Sequence, residues 1–168
     1  GYSEIYATPP VIPQHVFPVT VAGVRKWIYA GAAKMYTVDA AGGTVTHTNI
    51  TRQTASVDVD YTGTINGWTS CVLSGVPILN NGTDAPQQWL LTGKATALSN
   101  WPASTTCKSL RVYKNSLVAL NITESGTNYP FMVRTSHPAD PGSVPSSYDY
   151  TDATKDAVRT DVSDSLGG

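Results

Sequence analysis

Charge is the scarcest property of this 168-residue chain. Asp, Glu, Lys and Arg make up 14% of it, and 12 acids against 11 bases leave a formal net charge of −1. Such a balance creates no broad attraction to nucleic acid or to an anionic membrane surface, so any contact with DNA has to come from a local ring or patch. Glutamate occurs only at Glu4 and Glu124, and Lys and Arg are few. Long helices, which favour such straight-chain residues, are therefore not expected. No apolar run approaches the ~20 residues of a membrane-spanning helix, and no basic-then-apolar leader opens the chain, which predicts a soluble protein. The two cysteines, Cys71 and Cys107, are not in CxxC spacing and have too few histidine companions for a structural zinc site. Free, half-buried thiols are the first expectation for them and a disulfide the second. Asn-x-Thr triplets at Asn49, Asn81 and Asn121 match a glycosylation sequon, but so short a motif arises by chance in a Thr-rich chain.

What the chain does contain points to β structure. There are 14 Gly, 11 Pro and nine Tyr, with abundant Thr, Val and Ser. The length suits about one domain. Residues 1–18 carry Pro9, Pro10, Pro13 and Pro18, which rules out a helix and any central strand and predicts an extended arm. Tyr2, Ile5, Tyr6, Val11, Ile12, Val16 and Phe17 give that arm apolar surface to lay against something. Residues 19–168 form the β-rich remainder. Because the chain opens on Gly1 and stops at Gly167-Gly168, it is expected to be a piece of something longer.

Taken in order, Lys26 to Ala30 and Lys34 to Val38 flank the small residues Gly31-Ala32-Ala33 and predict a hairpin. A Thr-rich strand follows over residues 44–54. In the next run Val57, Val59 and Tyr61 alternate with Ser56, Asp58 and Asp60, which predicts a strand with the three apolar residues on one face. A strand pair is predicted around Ser74-Gly75, then a turn at Asn80-Asn81-Gly82-Thr83-Asp84 and a strand over residues 87–91. Residues 107–136 repeat that plan, with a turn at Lys114-Asn115. Val76 aligns with Leu117 at an offset of 41, and Trp27-Ile28-Tyr29 lies one slightly longer interval upstream. A period in the forties with several short strands per unit is the spacing of β-propeller blades, with Trp101 as an apolar plug between two of them. The polar segment after Tyr150 is read as a possible helical turn without an apolar stripe.

The most particular stretch is residues 134–152, RTSHPADPGSVPSSYDYTD. Pro138, Pro141 and Pro145 fix φ, Gly142 permits a turn, and the serines and aspartates can bond neighbouring amides, which predicts an ordered loop rather than a tether. Within it His137 and Asp140 could form a metal or acid–base pair, but no third ligand or nucleophile stands at recognisable spacing, so a hydrogen-bonding role is favoured. Asn80, Asn81, Thr83 and Asp84 offer oxygen ligands without EF-hand spacing and read as a self-capped turn. Asp58, Asp60, Asp140, Asp149 and Asp152 include no pair that the sequence singles out for glycoside hydrolysis. Trp27, Trp68, Trp89 and Trp101 could stack on sugars, although filling space between blades is favoured. No phosphate loop, nucleophile elbow or zinc signature is present, and no cofactor or metal is expected. That empty search favours a structural protein over an enzyme.

Residues 107–122 (CKSLRVYKNSLVALNI), 133–149 (VRTSHPADPGSVPSSYD) and 80–89 (NNGTDAPQQW), with Trp101-Pro102 and Tyr129-Pro130, resemble a family of tail structural proteins of tailed bacteriophages, the propeller-containing nozzle or tail-tube-tip proteins of short-tailed phages. The likeness covers residues 60–160, with Tyr148 standing where it implies Trp. It implies a non-enzymatic virion component assembled in the host cytoplasm as a homo-oligomeric ring, a hexamer, around the DNA exit channel. The phage tail adaptor and other tail proteins would be its partners, and dsDNA a transient contact. Residues 134–152 are then expected to be a docking element, with Arg134, His137, Pro138, Asp140, Pro141, Pro145, Tyr148 and Asp149 as its interaction residues. The reading from a different class is a carbohydrate-binding or carbohydrate-active β-propeller domain.

Overall fold

A computed structural model describes residues 7–63 and 67–162. Tyr2, Ile5 and Tyr6 of the expected arm, and Gly167-Gly168, lie outside the described residues. The described residues are all-β, with fourteen strands among them: β1 (His15–Val21), β2 (Val24–Ala30), β3 (Met35–Asp39), β4 (Thr46–Asn49), β5 (Gln53–Thr54), β6 (Val57–Asp58), β7 (Thr69–Leu73), β8 (Val76–Asn80), β9 (Gln87–Gln88), β10 (Thr96–Ala97), β11 (Thr105–Tyr113), β12 (Ser116–Glu124), β13 (Thr127–Thr135) and β14 (Val158–Asp161). They form three four-stranded sheets, β1–β4, β7–β10 and β11–β14, each with its strands neighbouring in chain order, plus the small pair β5–β6. Among the described residues every pairing is antiparallel and no sheet closes on itself.

Turn chemistry sets this plan locally. The first hairpin of each large sheet closes through two residues, Val21 facing Val24, Leu73 facing Val76 and Tyr113 facing Ser116. Ala22-Gly23 and Ser74-Gly75 hold positive φ at both positions, and so does Ser125-Gly126 between β12 and β13. These are the left-handed turns whose twist matches paired strands, and glycine takes the second position without strain. Pro18 sits inside β1, so the expected arm boundary at residue 18 falls within a strand. That strand is an edge, where the missing N–H costs no ladder bond.

The sheets stack face to face, with the second between the other two. One core joins Val19, Ile28, Ala30 and Met35 of the first sheet to Leu79, Trp89 and Ala95 of the second sheet's segment. The other joins Leu73 and Ile78 of the second sheet to Cys107, Leu110, Leu117, Ala119, Ile122 and Met132 of the third. Consequently all five residues of β8 are buried. The first strands gather at one edge of the stack: His15 Nε2 on β1 lies 2.8 Å from Ser70 Oγ on β7, and β11 runs beside β7 and β8.

Three expectations are corrected. The alternating run at 55–61 gives only β6, because Ala55 and Ser56 turn back with positive φ; Val57 is exposed while Tyr61 is buried. Strand 87–91 stops at Gln88, and Leu91 takes a φ of 62°. The segment after Tyr150 supplies β14 rather than a helical turn, paired with β13 through Thr135–Val158 and Met132–Asp161.

Residues 50–63 strap the first sheet to the second. Ile50 O accepts from Ala95 N at 2.8 Å. Trp68 stands edge-on to Tyr61, with its Nε1 donating to Gly31 O at 3.1 Å. Arg52 stacks over Tyr61 and reaches Asp84 Oδ1 at 3.0 Å. Asp84 also accepts from Thr62 N and from Asn81 Nδ2. In the turn itself Asn81 Oδ1 accepts from the amides of Thr83 and Asp84, the self-capped arrangement expected there.

Burial alone would raise the Asp84 carboxyl, but the bonds from Thr62, Asn81 and Arg52 outweigh it and hold it below the usual 3.8. A carboxyl depressed by folding contributes stability that is present above its unfolded value and lost as pH falls through its folded one. Urea melts below about pH 4 should therefore show an acid-sensitive component that Asp84→Asn removes, together with lower stability at pH 7. An unchanged acid slope in the variant would show that this knot does not set it.

Candidate functional site

The connection between β13 and β14, residues 136–157, contains most of the proline-rich stretch. Its hydrogen bonds run largely to its own chain. Ala139 N donates to Asn115 O at 2.7 Å in the β11–β12 turn, and Gly142 N to Ser74 O at 2.6 Å in the β7–β8 turn. Ser136 N donates to Leu117 O while Ser136 Oγ accepts from Leu117 N, so the loop leaves β13 as a continuation of its pairing with β12. Asn100 Nδ2 donates to Pro145 O at 3.0 Å. The loop thus grips the first-hairpin turns of two sheets at once.

A charged knot anchors its far end. Arg134, 8% exposed, donates Nη1 to Glu124 Oε1 at 2.7 Å, and Nε and Nη2 to Tyr148 O at 3.3 and 3.0 Å. Arg159 on β14 pairs with Glu124 Oε2 at 3.2 Å and donates to Tyr150 Oη at 3.1 Å. Its guanidinium lies over the rings of both Tyr129 and Tyr150. Arg134 thus has its donors taken by the Glu124 carboxylate and the Tyr148 carbonyl, which is how a guanidinium tolerates burial. Glu124 and Arg159 escaped the sequence reading as site residues, and Tyr129 and Tyr150 entered it only as members of longer motifs. They come from three separate strands and the loop, and no spacing motif marks such a meeting.

The expected interaction residues divide into two groups. Arg134, Pro145 and Tyr148 are buried and serve the chain's own fold. Pro138, Asp140, Pro141 and Asp149 are exposed, and His137 is half-buried. His137 and Asp140 do not pair with each other, and each takes a hydrogen-bonding role in the loop. His137 Nδ1 lies 3.1 Å from Asp156 N and 3.4 Å from Asp156 Oδ2. Nor do the carboxylates of Asp140 and Asp149 brace the loop across its width. Asp140 contributes its carbonyl to Ser143, and Asp149 Oδ1 caps Thr151 locally. A shallow cleft of ≈ 340 Å³ lies between Asn100 and Pro102 on one side and Arg134 with residues 146–149 on the other.

Elsewhere the candidate chemistry is dispersed. Among the described residues no three of His, Cys, Asp and Glu gather as a metal cluster. Hydrogen bonds from Gln53, Lys94 and Asn49 hold the Asp58 carboxyl down at about 2. Hydrogen bonds from Thr151 and Thr154 likewise depress Asp149 and Asp152. A glycosidase acid needs a raised carboxyl, the opposite of these three. Cys71 and Cys107 are free thiols, and burial pushes them up to about 11 and about 12, away from reactivity. Trp68 and Trp89 are buried and Trp101 packs half-buried against the core between the second and third sheets. Trp27 alone of the four is exposed, at 42%.

Tyr148 packs edge-on against Trp101 and reaches the second core with a hydroxyl that finds no hydrogen-bond partner among the described residues. Burial, with Cys107 and Cys71 nearby, drives that hydroxyl far above its ordinary value. An unpaired buried donor costs about 1–3 kcal/mol, so Tyr148→Phe should raise stability by roughly 1 kcal/mol in a denaturant melt. Destabilisation by that amount would mean the hydroxyl has a partner. No protein-family model matches the chain, and no curated protein matches it.

Proposed function

We propose that the chain is a non-enzymatic structural component of a bacteriophage tail, a propeller-type nozzle subunit that assembles into a homo-oligomeric ring around the DNA exit channel. One observation carries the reading: three successive four-stranded antiparallel meanders stack face to face with their first strands gathered at one edge. That is the layout of consecutive propeller blades, whose first strands lie nearest the axis. The sequence likeness of residues 60–160 to nozzle proteins points the same way.

Charge placement suits a conduit. The strands β1, β7 and β11 contain no Asp or Glu. Of the five Lys and Arg residues with no carboxylate partner within 4.0 Å among the described residues, Arg25, Lys108, Arg111 and Lys114 lie on first hairpins or their turns and Lys155 lies in the 136–157 loop. A few weakly held cations at the gathered edge would attract phosphates without the strong adhesion that many neutralised phosphates bring. The adaptor and other tail proteins would meet the exposed side of the loop. Electron microscopy of virions carrying a tagged copy should place the tag on a tail ring; particles without it, with the protein left in the supernatant, overturn the reading.

The loop then has two separable roles, an inner one in folding and an outer one in docking. Exposed Pro141 should matter to assembly and buried Pro145 to the fold. Pro141→Gly is expected to change chain stability by no more than about 0.4–1 kcal/mol while lowering ring yield, whereas Pro145→Gly should lower the melting temperature of the isolated chain. Normal ring yield with Pro141→Gly removes the docking role. The carbohydrate-binding alternative keeps one support, exposed Trp27 beside Arg25 and Asp39. Glycan binding abolished by Trp27→Ala in a still-folded chain would favour it.

A further inference from the structure

We propose that the cleft between the first-hairpin ends of the first and second sheets receives an extended, proline-containing acidic segment of a partner protein, in the way that the neighbouring groove already holds a segment of this chain. The inference rests on the likeness of the two grooves and not on the phage-tail reading. Two-residue turns put Ala22-Gly23, Ser74-Gly75 and Lys114-Asn115 in equivalent places, each beyond the last pair of its hairpin. Between the second and third sheets the space at these turns is filled. Ala139 N donates to Asn115 O and Gly142 N to Ser74 O, so the segment from 139 to 142 bridges the two turns. Ala139 is buried in the core those sheets share, and Val144 packs against it.

Between the first and second sheets the corresponding space is a cleft of ≈ 370 Å³, with Val19 and Arg25 on one wall, Val72, Gly75 and Pro77 on the other, and Leu91 beside them. Both walls are sheets of this chain. The acceptors equivalent to Ser74 O and Asn115 O are Ala22 O and Gly75 O, and neither takes a backbone N–H among the described residues. Val72 is 46% exposed at the mouth of the cleft. Leu91 holds a φ of 62°, a strained conformation for a bulky side chain and one that gathers at ligand clamps.

The lining selects the occupant. Val19, Val72, Pro77 and Leu91 offer apolar surface to proline rings and small side chains, as the core between the second and third sheets does to Ala139 and Val144. Ala22 O and Gly75 O call for amide donors on an extended backbone, a shape that prolines hold at little entropic cost. In the resident segment Pro138 and Pro141 immediately precede the two donors, Ala139 and Gly142. Arg25 has no carboxylate partner within 4.0 Å among the described residues, so an acidic side chain would complete it through a charge-assisted bond. The resident segment carries such an acid, exposed Asp140, between its two donors. A phosphate backbone would meet Arg25 but offers no donor to the two carbonyls.

The probe is a labelled synthetic peptide with the sequence of residues 138–145, PADPGSVP, titrated against the full 168-residue chain by fluorescence anisotropy. Saturable binding is expected, with amide shifts in a nitrogen-15 spectrum centred on residues 19–25 and 72–77. Arg25→Glu and Val72→Trp alter exposed positions, so melting temperature should hold while binding weakens about tenfold or more. A peptide carrying Asp140→Asn should lose a similar factor with the chain itself unaltered. Absence of saturable binding overturns the proposal, and so does binding indifferent to both Arg25→Glu and the altered peptide. Shifts confined to the partners of the resident segment would mean that the peptide had only replaced it, which also overturns the proposal. Displacement of the peptide by a short DNA duplex would assign the cleft to phosphates instead. Tail microscopy and peptide binding are independent measurements, so either reading can fail alone.

Discussion

Burial of the second sheet on both faces is the constraint from which the rest of the arrangement follows. Its strands β9 and β10 have two residues each and hold little by their own ladder. What fixes the sheet is β8, where Ile78 and Leu79 point in opposite directions into two cores. Fully burying such a side chain is worth roughly 1.5–3 kcal/mol, so two adjacent residues contribute more than the short strands can. The strap at residues 50–63 and the loop at 136–157 then act as covers on opposite sides, each bonded to turns that the stacking has already placed.

Around the loop, ordering comes from polar contacts that a hydrophobic pattern does not encode. Arg134 holds Tyr148 through its carbonyl, and Glu124 holds Arg134 and Arg159 together, so β12, β13, β14 and the loop converge on one carboxylate. Buried ion pairs contribute little net stability against apolar replacements, but they penalise wrong arrangements heavily. The knot therefore serves to define where the loop lies. Prolines at 138, 141 and 145 narrow the alternatives that the knot has to reject.

Much of the β plan was legible because turns and alternation are local. Ser74-Gly75 and Lys114-Asn115 announced their hairpins, and the long strands of the third sheet carried enough Val, Leu and Ile to be seen. The repeat was read at an offset of 41, yet the turns at Ser74 and Lys114 lie 40 residues apart. That single residue exchanges the two faces of a strand, so Leu79 corresponds to Ala119 rather than Leu120. What stayed hidden was set by distant partners. The polar run containing β14 becomes a strand because β13 offers it an edge, and Val57 turns outward because Ala55-Ser56 reverses the chain before a strand can develop. Three of the eight expected interaction residues, Arg134, Pro145 and Tyr148, proved to be buried for the same reason, since exposure is decided by Trp101, Asn100 and Glu124 rather than by neighbours in sequence.

The third sheet is assembled on two very different clocks. β11, β12 and β13 are joined by two-residue turns and can zip in succession, whereas β14 must return across residues 136–157 before it pairs. Closing the longer loop adds only about 0.6 kcal/mol per doubling of length, but it brings few rewards until the Arg134 knot forms. β14 is accordingly the last strand to dock and the first to fray. Each time it leaves, the N–H and C=O groups of β13 stand open along a full edge, and strand-to-strand aggregation of the isolated chain would begin there.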